Sequence, residues 1–542
     1  MLALLFKEVN YLDGMKEKIR LLYCILILLP FSSHAQSFPV PYDFNYYNKI
    51  IDTLYSTHHR IHTSIKGFSL QDTIAQAAFD SVQAISYRPK KSNFIFRKLF
   101  NEHLVQFYKK DYALYFDFMP DFQVGKEIAK SSTWLNTRGF QLGGRIGKEI
   151  YFHTSFYENQ GKFPSYLTDF INRSTVVPGQ GYIRSFGKTA FDFSAADGYV
   201  SYVPGKYFTF ELGHGKIFIG DGYRSLLLSD NTFSYPYAKI ITTVGPFKYM
   251  NIWTQMQYLN GFHFTDSTAF PKKYSVFQYL DWSINKNFTF GIFENTMIRP
   301  RGFDLNFINP IIFLRPVEFS IGNPDKSLLG FTGSYKLSGR YLVYGQLVIN
   351  EFTASKVFGD PGYWANKQGF QLGIRAFNFL KVAKLNLLAE LNTIRPFTYT
   401  ALNPLISYSH YGQPLGDPLG TNFREFIFIG NYSYKRFELR SQLNFALIGL
   451  DNPANPGQST GGDLFKPYTI RTANEGFFIG SGVRSNFFFA DLRASYMLNY
   501  KNNLRLEFGY TNRTLNNQLA KQTSNYFNFG IKASFRNFYY DF

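Results

Sequence analysis

The segment FELRSQLNFAL, residues 437–447, alternates between two kinds of side chain. One face carries Phe437, Leu439, Ser441, Leu443, Phe445 and Leu447, and the other carries Glu438, Arg440, Gln442, Asn444 and Ala446. A period of two residues predicts a β-strand with one apolar and one polar face. This strand fits a soluble sandwich with its apolar face inside, and it fits a membrane barrel with that face towards lipid.

Three further features favour the barrel. The alternation persists from about residue 111 to the end of the sequence, and the chain interleaves its 61 Phe and 40 Tyr with polar residues, as aromatic girdles require. Gly, Asn, Asp and Pro turns recur throughout. The ending Phe538, Tyr540 and Phe542 resembles the C-terminal insertion signal of bacterial outer-membrane barrels. We therefore expect an all-β transmembrane barrel of roughly 16 to 18 antiparallel strands, closed because lipid tolerates no open sheet edge.

The first 35 residues form a predicted export signal, with Met15 as the true start. A basic start precedes the apolar core Leu21–Phe31 and the small-residue cleavage site Ser33-His34-Ala35. The apolar core is shorter than the roughly 20 residues that a membrane-spanning helix needs. We therefore expect export to the bacterial outer membrane.

Residues 36–110 have a helical period instead. One predicted helix carries Ile74, Ala77, Ala78, Val82 and Ile85, after the capping pattern at Ser69 and Asp72. A second predicted helix carries one apolar stripe of Phe96, Leu99, Phe100, Leu104 and Phe107. We expect residues 36–110 to form a short periplasmic helical cap and residues 111–542 to form the outer-membrane β-barrel.

Composition restricts the possible partners and chemistry. The single cysteine, Cys24, lies within the predicted signal, which argues against disulfides, cysteine catalysis and cysteine metal sites. The formal net charge of +19 favours anionic partners. For an exported chain these are outer-membrane lipid and lipopolysaccharide, or acidic surface polysaccharide, and not nucleic acid. The sequence predicts no cofactor.

Three motifs carry a resemblance to a known family. They are HGKIFIGDGYRSLLLSDN at residues 214–231, NPIIFLRPVEFS at 309–320, and QLVINEF at 346–352 followed by WANK at 364–367. Together they resemble the capsule-assembly Wzi-like family, and in particular its RemB-like members from gliding bacteria. The resemblance implies an outer-membrane barrel with an N-terminal helical segment. It further implies either retention of exported polysaccharide at the surface or a role in surface motility and its secretion system, neither of which is enzymatic.

The candidate ligand-binding residues are Asp221, Tyr223, Arg224, Asp230, Asn231, Arg315 and Glu318. Carboxylate, guanidinium, amide and phenol groups match sugar hydroxyls and uronic carboxylates. The alternative is structural, with Arg224 paired to Asp221 or Asp230 inside the barrel and Arg315 paired to Glu318.

The sequence favours binding over two chemical alternatives. A triad of His214 with a nearby aspartate and serine lacks the G-x-S-x-G context of a nucleophile elbow, so we predict no catalytic residue. His58 and His62 have the spacing of metal ligands on a helix, but solvated histidines are the commoner case, and we predict no metal site. Three non-enzymatic functions stay open: a polysaccharide-binding or anchoring barrel, an accessory subunit of the gliding-motility and secretion apparatus, and a passive diffusion channel.

Overall fold

The computed structural model describes residues 41–56, 59–67, 72–85, 93–259, 269–300, 305–310, 316, 320, 326–352 and 354–542. The α-helices of this part are α1 (Phe44–Tyr47), α2 (Ile51–Leu54), α3 (Thr73–Gln83), α4 (Phe94–Phe100), α5 (Ser165–Ser174) and α6 (Ala354–Gly359), with 3-10 turns at Leu305–Ile308, Phe379–Lys381, Pro404–Ile406 and Tyr468–Ile470. Within the described ranges, no helix has the length and apolar character needed to cross a membrane.

The strands dominate the remainder of the chain. They are β1 (Val105–Tyr108), β2 (Tyr112–Phe118), β3 (Asp121–Glu127), β4 (Ser132–Ile146), β5 (Ile150–Lys162), β6 (Val176–Val177), β7 (Gly181–Tyr182), β8 (Arg184–Phe186), β9 (Ala190–Tyr202), β10 (Phe208–Gly215), β11 (Tyr235–Val244), β12 (Phe247–Gln257), β13 (Lys272–Ser283), β14 (Phe288–Ile298), β15 (Lys326–Leu337), β16 (Tyr341–Glu351), β17 (Lys367–Ala376), β18 (Leu385–Ile394), β19 (Ser409–His410), β20 (Gln413–Pro414), β21 (Phe423–Tyr434), β22 (Phe437–Leu450), β23 (Val483–Asn499), β24 (Leu504–Asn517) and β25 (Lys521–Ala533).

The long strands form one closed antiparallel barrel of 18 strands. Strands β2 and β3 together make the first wall strand, interrupted at Met119 and Pro120, and both pair with β4. The last strand, β25, closes the barrel on β3, with Tyr526 opposite Glu127 and Lys532 opposite Asp121. Both the predicted barrel and its strand number are confirmed.

The wall has its apolar face outside. In β22 the side chains of Phe437 and Phe445 are 62% and 44% exposed, whereas those of Gln442 and Asn444 are 3% and 0% exposed. A soluble sandwich would have the opposite arrangement, because burial of apolar surface is what stabilises its core. The alternation noted in the sequence therefore describes a lipid-facing outer surface around a polar interior.

The two ends of the barrel differ in the length of their connections. At one end, which we call the short-turn end, residues 245–246 and 435–436 suffice to join neighbouring strands. At the other, the long-loop end, the connections include residues 216–234 and 395–422. Outer-membrane barrels have short turns on the periplasmic side and long loops outside, and we assign the two ends on that basis.

The predicted N-terminal helices are found in part. The first becomes α3, whose preceding Asp72 pairs with Lys248 (Nζ–Oδ2 2.7 Å), while Ser69 lies outside the described residues. The second prediction was wrong in extent, because α4 ends at Phe100 and Phe107 lies in strand β1. Residues 105–108 pair with β2 instead, which satisfies backbone groups at an edge of the wall. The division at residue 110 stays a prediction.

The chain's last residues do not continue the final strand. The final strand ends at Ala533, and residues 534–542, here called the lumen tail, turn into the barrel interior. There the rings of Phe538 and Tyr540 stack with centroids 5.8 Å apart, and Phe542 packs on Phe170 at 4.8 Å. These aromatic side chains therefore contact other parts of the protein, not the surrounding lipid.

Candidate functional site

Residues 216–234, which connect β10 and β11, fold into the barrel, and we call them the lumen loop. Every residue from 217 to 232 is buried. Its apolar run Leu226–Leu228 belongs to one buried cluster with inward-facing aromatic side chains of the wall and of residues 395–422. The hydroxyl of Tyr399 donates to the carbonyl of Leu226 (2.5 Å), and that of Tyr408 donates to the carbonyl of Leu227. The three leucines thus form a hydrophobic core inside a polar barrel.

Arg224 is the centre of the polar contacts of the lumen loop. Its guanidinium is fully buried and donates to the carboxylate of Glu425 (Nη2–Oε1 3.0 Å, Nε–Oε2 3.3 Å). It also donates to Asp541 of the lumen tail (Nη1–Oδ1 3.1 Å) and lies 3.7 Å from Asp417. Burial alone would lower the pKa of Arg224, but Asp541, Glu425 and Asp417 hold it well above its usual value. Arg224 therefore joins the loop, the wall and the tail.

Another carboxylate, that of Glu390, holds the backbone of the lumen loop. Glu390 of β18 accepts from the amides of Tyr223 (Oε2, 2.8 Å) and Arg224 (Oε1, 3.1 Å). Gly222 allows this approach, because a Cβ there would collide with the Glu390 carboxylate and would lie 2.8 Å from the carbonyl oxygen of Arg224. Close packing against Glu390 thus explains why residue 222 is a glycine.

Asp221 joins the lumen loop to the N-terminal segment. Its carboxylate accepts from the hydroxyls of Tyr55 (2.6 Å) and Ser64 (2.8 Å), and Lys66 Nζ lies 3.7 Å away. Although burial favours the neutral acid, Lys66 and the two hydroxyls hold the pKa of Asp221 below its usual value. This carboxylate is therefore fixed in its charged form by the protein itself.

Asp230 joins the lumen loop to the lumen tail. Its two oxygens accept from the Asn537 amide (2.6 Å) and the Tyr539 hydroxyl (2.7 Å). Burial raises the pKa of Asp230 above its usual value. Beyond these contacts, Arg513 Nε donates to the carbonyl of Phe542 (2.8 Å). The tail is thus bound along its length by groups of the loop and the wall.

Residues of the lumen tail line two cavities inside the barrel. The larger, about 510 Å³, lies towards strands β21–β25, and the smaller, about 150 Å³, lies towards β9–β11. Arg536 and Asn537 line both. Both walls carry charged and amide groups beside apolar side chains, so each cavity has a mixed lining.

The structure does not bring the predicted binding residues around one cavity. Tyr223 lines the larger cavity and Asp230 the smaller, while Asn231 lines a third space of about 180 Å³ at the long-loop end. Asp221 and Arg224 are 4% and 1% exposed. Arg315 and Glu318 lie outside the described residues. The pairing of Arg224 also differs from the prediction, because its partners are Glu425, Asp541 and Asp417.

The histidines considered for a metal site have other surroundings. His62 Nδ1 lies 3.1 Å from Asp281 Oδ2, and His58 falls outside the described residues. Across the described ranges, no group of three or more His, Cys, Asp or Glu side chains could hold a metal ion.

Sequence reasoning missed the carboxylates that hold the loop. Glu390 lies on the inward face of β18, between Ala389 and Leu391, and Glu425 lies on the inward face of β21, between Arg424 and Phe426. Their positions in the alternation would have identified them as inward-facing. Nothing in the sequence, however, pairs Arg224 with Glu425 or Asp541, which are 201 and 317 residues away.

Comparisons with known proteins bear on the fold. No family model and no curated protein matches the chain. Among solved structures it is similar to Wzi, an outer-membrane protein involved in group 1 capsule assembly in Escherichia coli and described as a carbohydrate-binding β-barrel. That match has a TM-score of 0.54 at 14% identity and covers 91% of this chain and 99% of Wzi. A weaker likeness, to OprD of Pseudomonas aeruginosa, has a TM-score of 0.42 at 10% identity and covers 78% and 95% of the two chains.

The closed wall, its apolar outer face and the likeness to Wzi define the class: the protein is a bacterial outer-membrane β-barrel. Within that class its fold is similar to that of the Wzi barrel. The resemblance to RemB-like proteins stays a prediction.

Proposed function

We propose that this barrel binds acidic polysaccharide at the cell surface and does not catalyse a reaction. The observation that carries the proposal is the filled lumen. The lumen loop and the lumen tail cross the interior and are joined there by Arg224 and Asp230. We infer that a lumen occupied by these two segments supports the long loops and does not serve passive diffusion, because diffusion needs a continuous water path.

The charge of the chain supports an anionic ligand. The formal net charge is +19, and cations such as Arg173 and Arg184 are exposed at the long-loop end. Guanidinium groups bind carboxylates in a two-pronged geometry, which suits uronic sugars. The comparison with Wzi adds only that this fold occurs in a protein described as carbohydrate-binding.

The predicted ligand contacts at Asp221, Tyr223, Arg224, Asp230 and Asn231 need a modified role. All five side chains are buried, and those of Asp221, Arg224 and Asp230 are bound to other parts of the chain. We infer that they position the long loops by fixing the lumen loop, and that the ligand contacts groups at the long-loop end. Arg315 and Glu318 remain candidates for direct contact.

The proposal is tested with purified protein in two assays. The first measures conductance after reconstitution into planar bilayers, where we expect electrical silence. The second measures binding of a soluble polyuronate and of neutral dextran to protein in detergent, where we expect salt-sensitive binding of the polyuronate alone.

Two double variants test where on the barrel the polyuronate binds. Arg173→Gln and Arg184→Gln together remove two exposed cations at the long-loop end, and Lys381→Gln with Lys384→Gln remove two at the short-turn end. We expect only the first pair to weaken polyuronate binding. Steady conductance together with equal binding of both polymers would favour the diffusion channel and overturn the proposal.

A further inference from the structure

An apolar surface lies at the seam of the barrel, on residues 93–108, which we call the seam segment. The segment consists of α4, a short connection and β1. Its exposed apolar side chains are Phe94 (62%), Ile95 (73%), Leu99 (42%), Leu104 (45%) and Phe107 (36%). Every residue of α4 is at least partly exposed. Soluble surfaces rarely present so many adjacent apolar side chains without a partner.

Pairing fixes which way part of this surface faces. Strand β1 is antiparallel to β2, with Phe107 opposite Leu114 and Val105 opposite Phe116. Directly opposite residues share a face of the sheet. The alternate residues of β2, Ala113 and Tyr115, are buried on the inner side. Phe107 therefore belongs to the lipid-facing side of the wall.

Polar contacts hold the other side of the seam segment against the barrel. Asp117, which is fully buried, accepts from His103 Nδ1 (2.6 Å) and from the backbone amide of Leu104 (2.9 Å). Asn499, at the end of β23, donates its side-chain amide to the carbonyls of Lys98 (3.3 Å) and Glu102 (2.9 Å). These contacts fix the seam segment at the short-turn end, while Phe94, Ile95 and Leu99 of α4 remain exposed.

We infer that the seam segment is a membrane-surface anchor whose apolar side inserts into the periplasmic leaflet of the outer membrane. Phe107 of β1 continues the lipid-facing belt of β2, and the exposed apolar side chains of α4 belong to the same segment at the short-turn end. Amphipathic helices in the interface bury their apolar face at the boundary between headgroups and acyl chains. The occupant is therefore phospholipid.

The test uses single cysteines labelled with an environment-sensitive fluorophore, in protein whose Cys24 is replaced by serine. Ile95→Cys probes α4. Leu443→Cys, on the outer face of β22, is the lipid-facing reference. Phe358→Cys, which is 85% exposed in α6 at the long-loop end, is the reference outside the bilayer. The proteins are reconstituted into phosphatidylethanolamine and phosphatidylglycerol vesicles with and without brominated acyl chains, and aqueous iodide is added in parallel.

We expect the probe at residue 95 to be quenched by brominated lipid as the probe at 443 is, and to be shielded from iodide. The probe at 358 should behave in the opposite way. Quenching at 95 by iodide and not by lipid would overturn the inference. So would shielding from both quenchers, because that result would indicate a protein contact. Normal behaviour of the other two probes reports that the barrel is folded.

Discussion

Arg224→Met gives the most informative perturbation of the lumen. Methionine retains a long unbranched side chain but removes the charge, so Glu425 and Asp541 lose the guanidinium that they share. Both carboxylates are almost fully buried, and solvent cannot replace the lost partner. Removing one member of a buried ion pair costs about 3–5 kcal/mol, because the remaining charge is left uncompensated. We expect a decrease of that size in the free energy of unfolding.

The assay is equilibrium urea unfolding of the barrel in phospholipid vesicles, followed by tryptophan fluorescence. Lys356→Met is the matched control, because Lys356 pairs with Asp360 at 3.4 Å on the exposed helix α6. Such exposed pairs contribute only about 0–1 kcal/mol. The double variant Arg224→Met with Glu425→Gln should recover part of the loss, since the amide leaves one fewer buried charge. A loss for Arg224→Met no larger than that of the control would refute the reasoning.

Three further outcomes are expected. Gly222→Ala should lower the free energy of unfolding by about 1–3 kcal/mol, because its methyl group displaces the Glu390 carboxylate, whereas Gly333→Ala meets open space and should have little effect. Burial and Glu425 raise the pKa of Asp417 well above 3.8. Protonated Asp417 therefore contributes fully to the stability of the fold below the pKa of the unfolded state, and this contribution is lost as pH rises through the pKa of the folded state. Measurements of the free energy of unfolding against pH should show this loss, and Asp417→Asn should remove it. Deleting residues 534–542 should convert a silent barrel into a conducting one in planar bilayers, because residues of the tail line both lumen cavities, and unchanged silence would show that the lumen loop alone is sufficient to block it.

The wall of the barrel was accessible to sequence reasoning because its rule is local. In β22 each side chain faces lipid or lumen according to its position in the alternation. A soluble sheet has the same alternation, but it buries the apolar face, whereas the barrel turns that face towards lipid. The lumen loop was also recognisable as unusual, because its glycines and Leu226–Leu228 interrupt the alternation. Its inward placement follows from hydrophobic burial once a barrel is assumed.

The contacts inside the lumen were not accessible in this way. Arg224 could have paired with Asp221 or Asp230, which are near in sequence, yet its carboxylates come from β21 and the lumen tail. That choice depends on how a closed wall brings distant strands together, and no periodicity encodes it. The interior position of the lumen tail was not accessible for a related reason. Aromatic residues at alternate positions are typical of a lipid-facing strand, but Phe538 and Tyr540 stack within the lumen.

The seam of the barrel and the lumen tail are two parts of one arrangement. Strand β25 leaves the wall at Ala533, beside Pro120, while β2 continues beyond that point towards the short-turn end. The edge of β2 would then present unpaired backbone groups to lipid at a cost of several kcal/mol each. Strand β1 pairs with residues 113–116 and covers this edge. The last nine residues are thereby free to enter the lumen, where Asp541 binds Arg224, so a change that prevents β1 from pairing should destabilise the wall even when every lumen contact is intact.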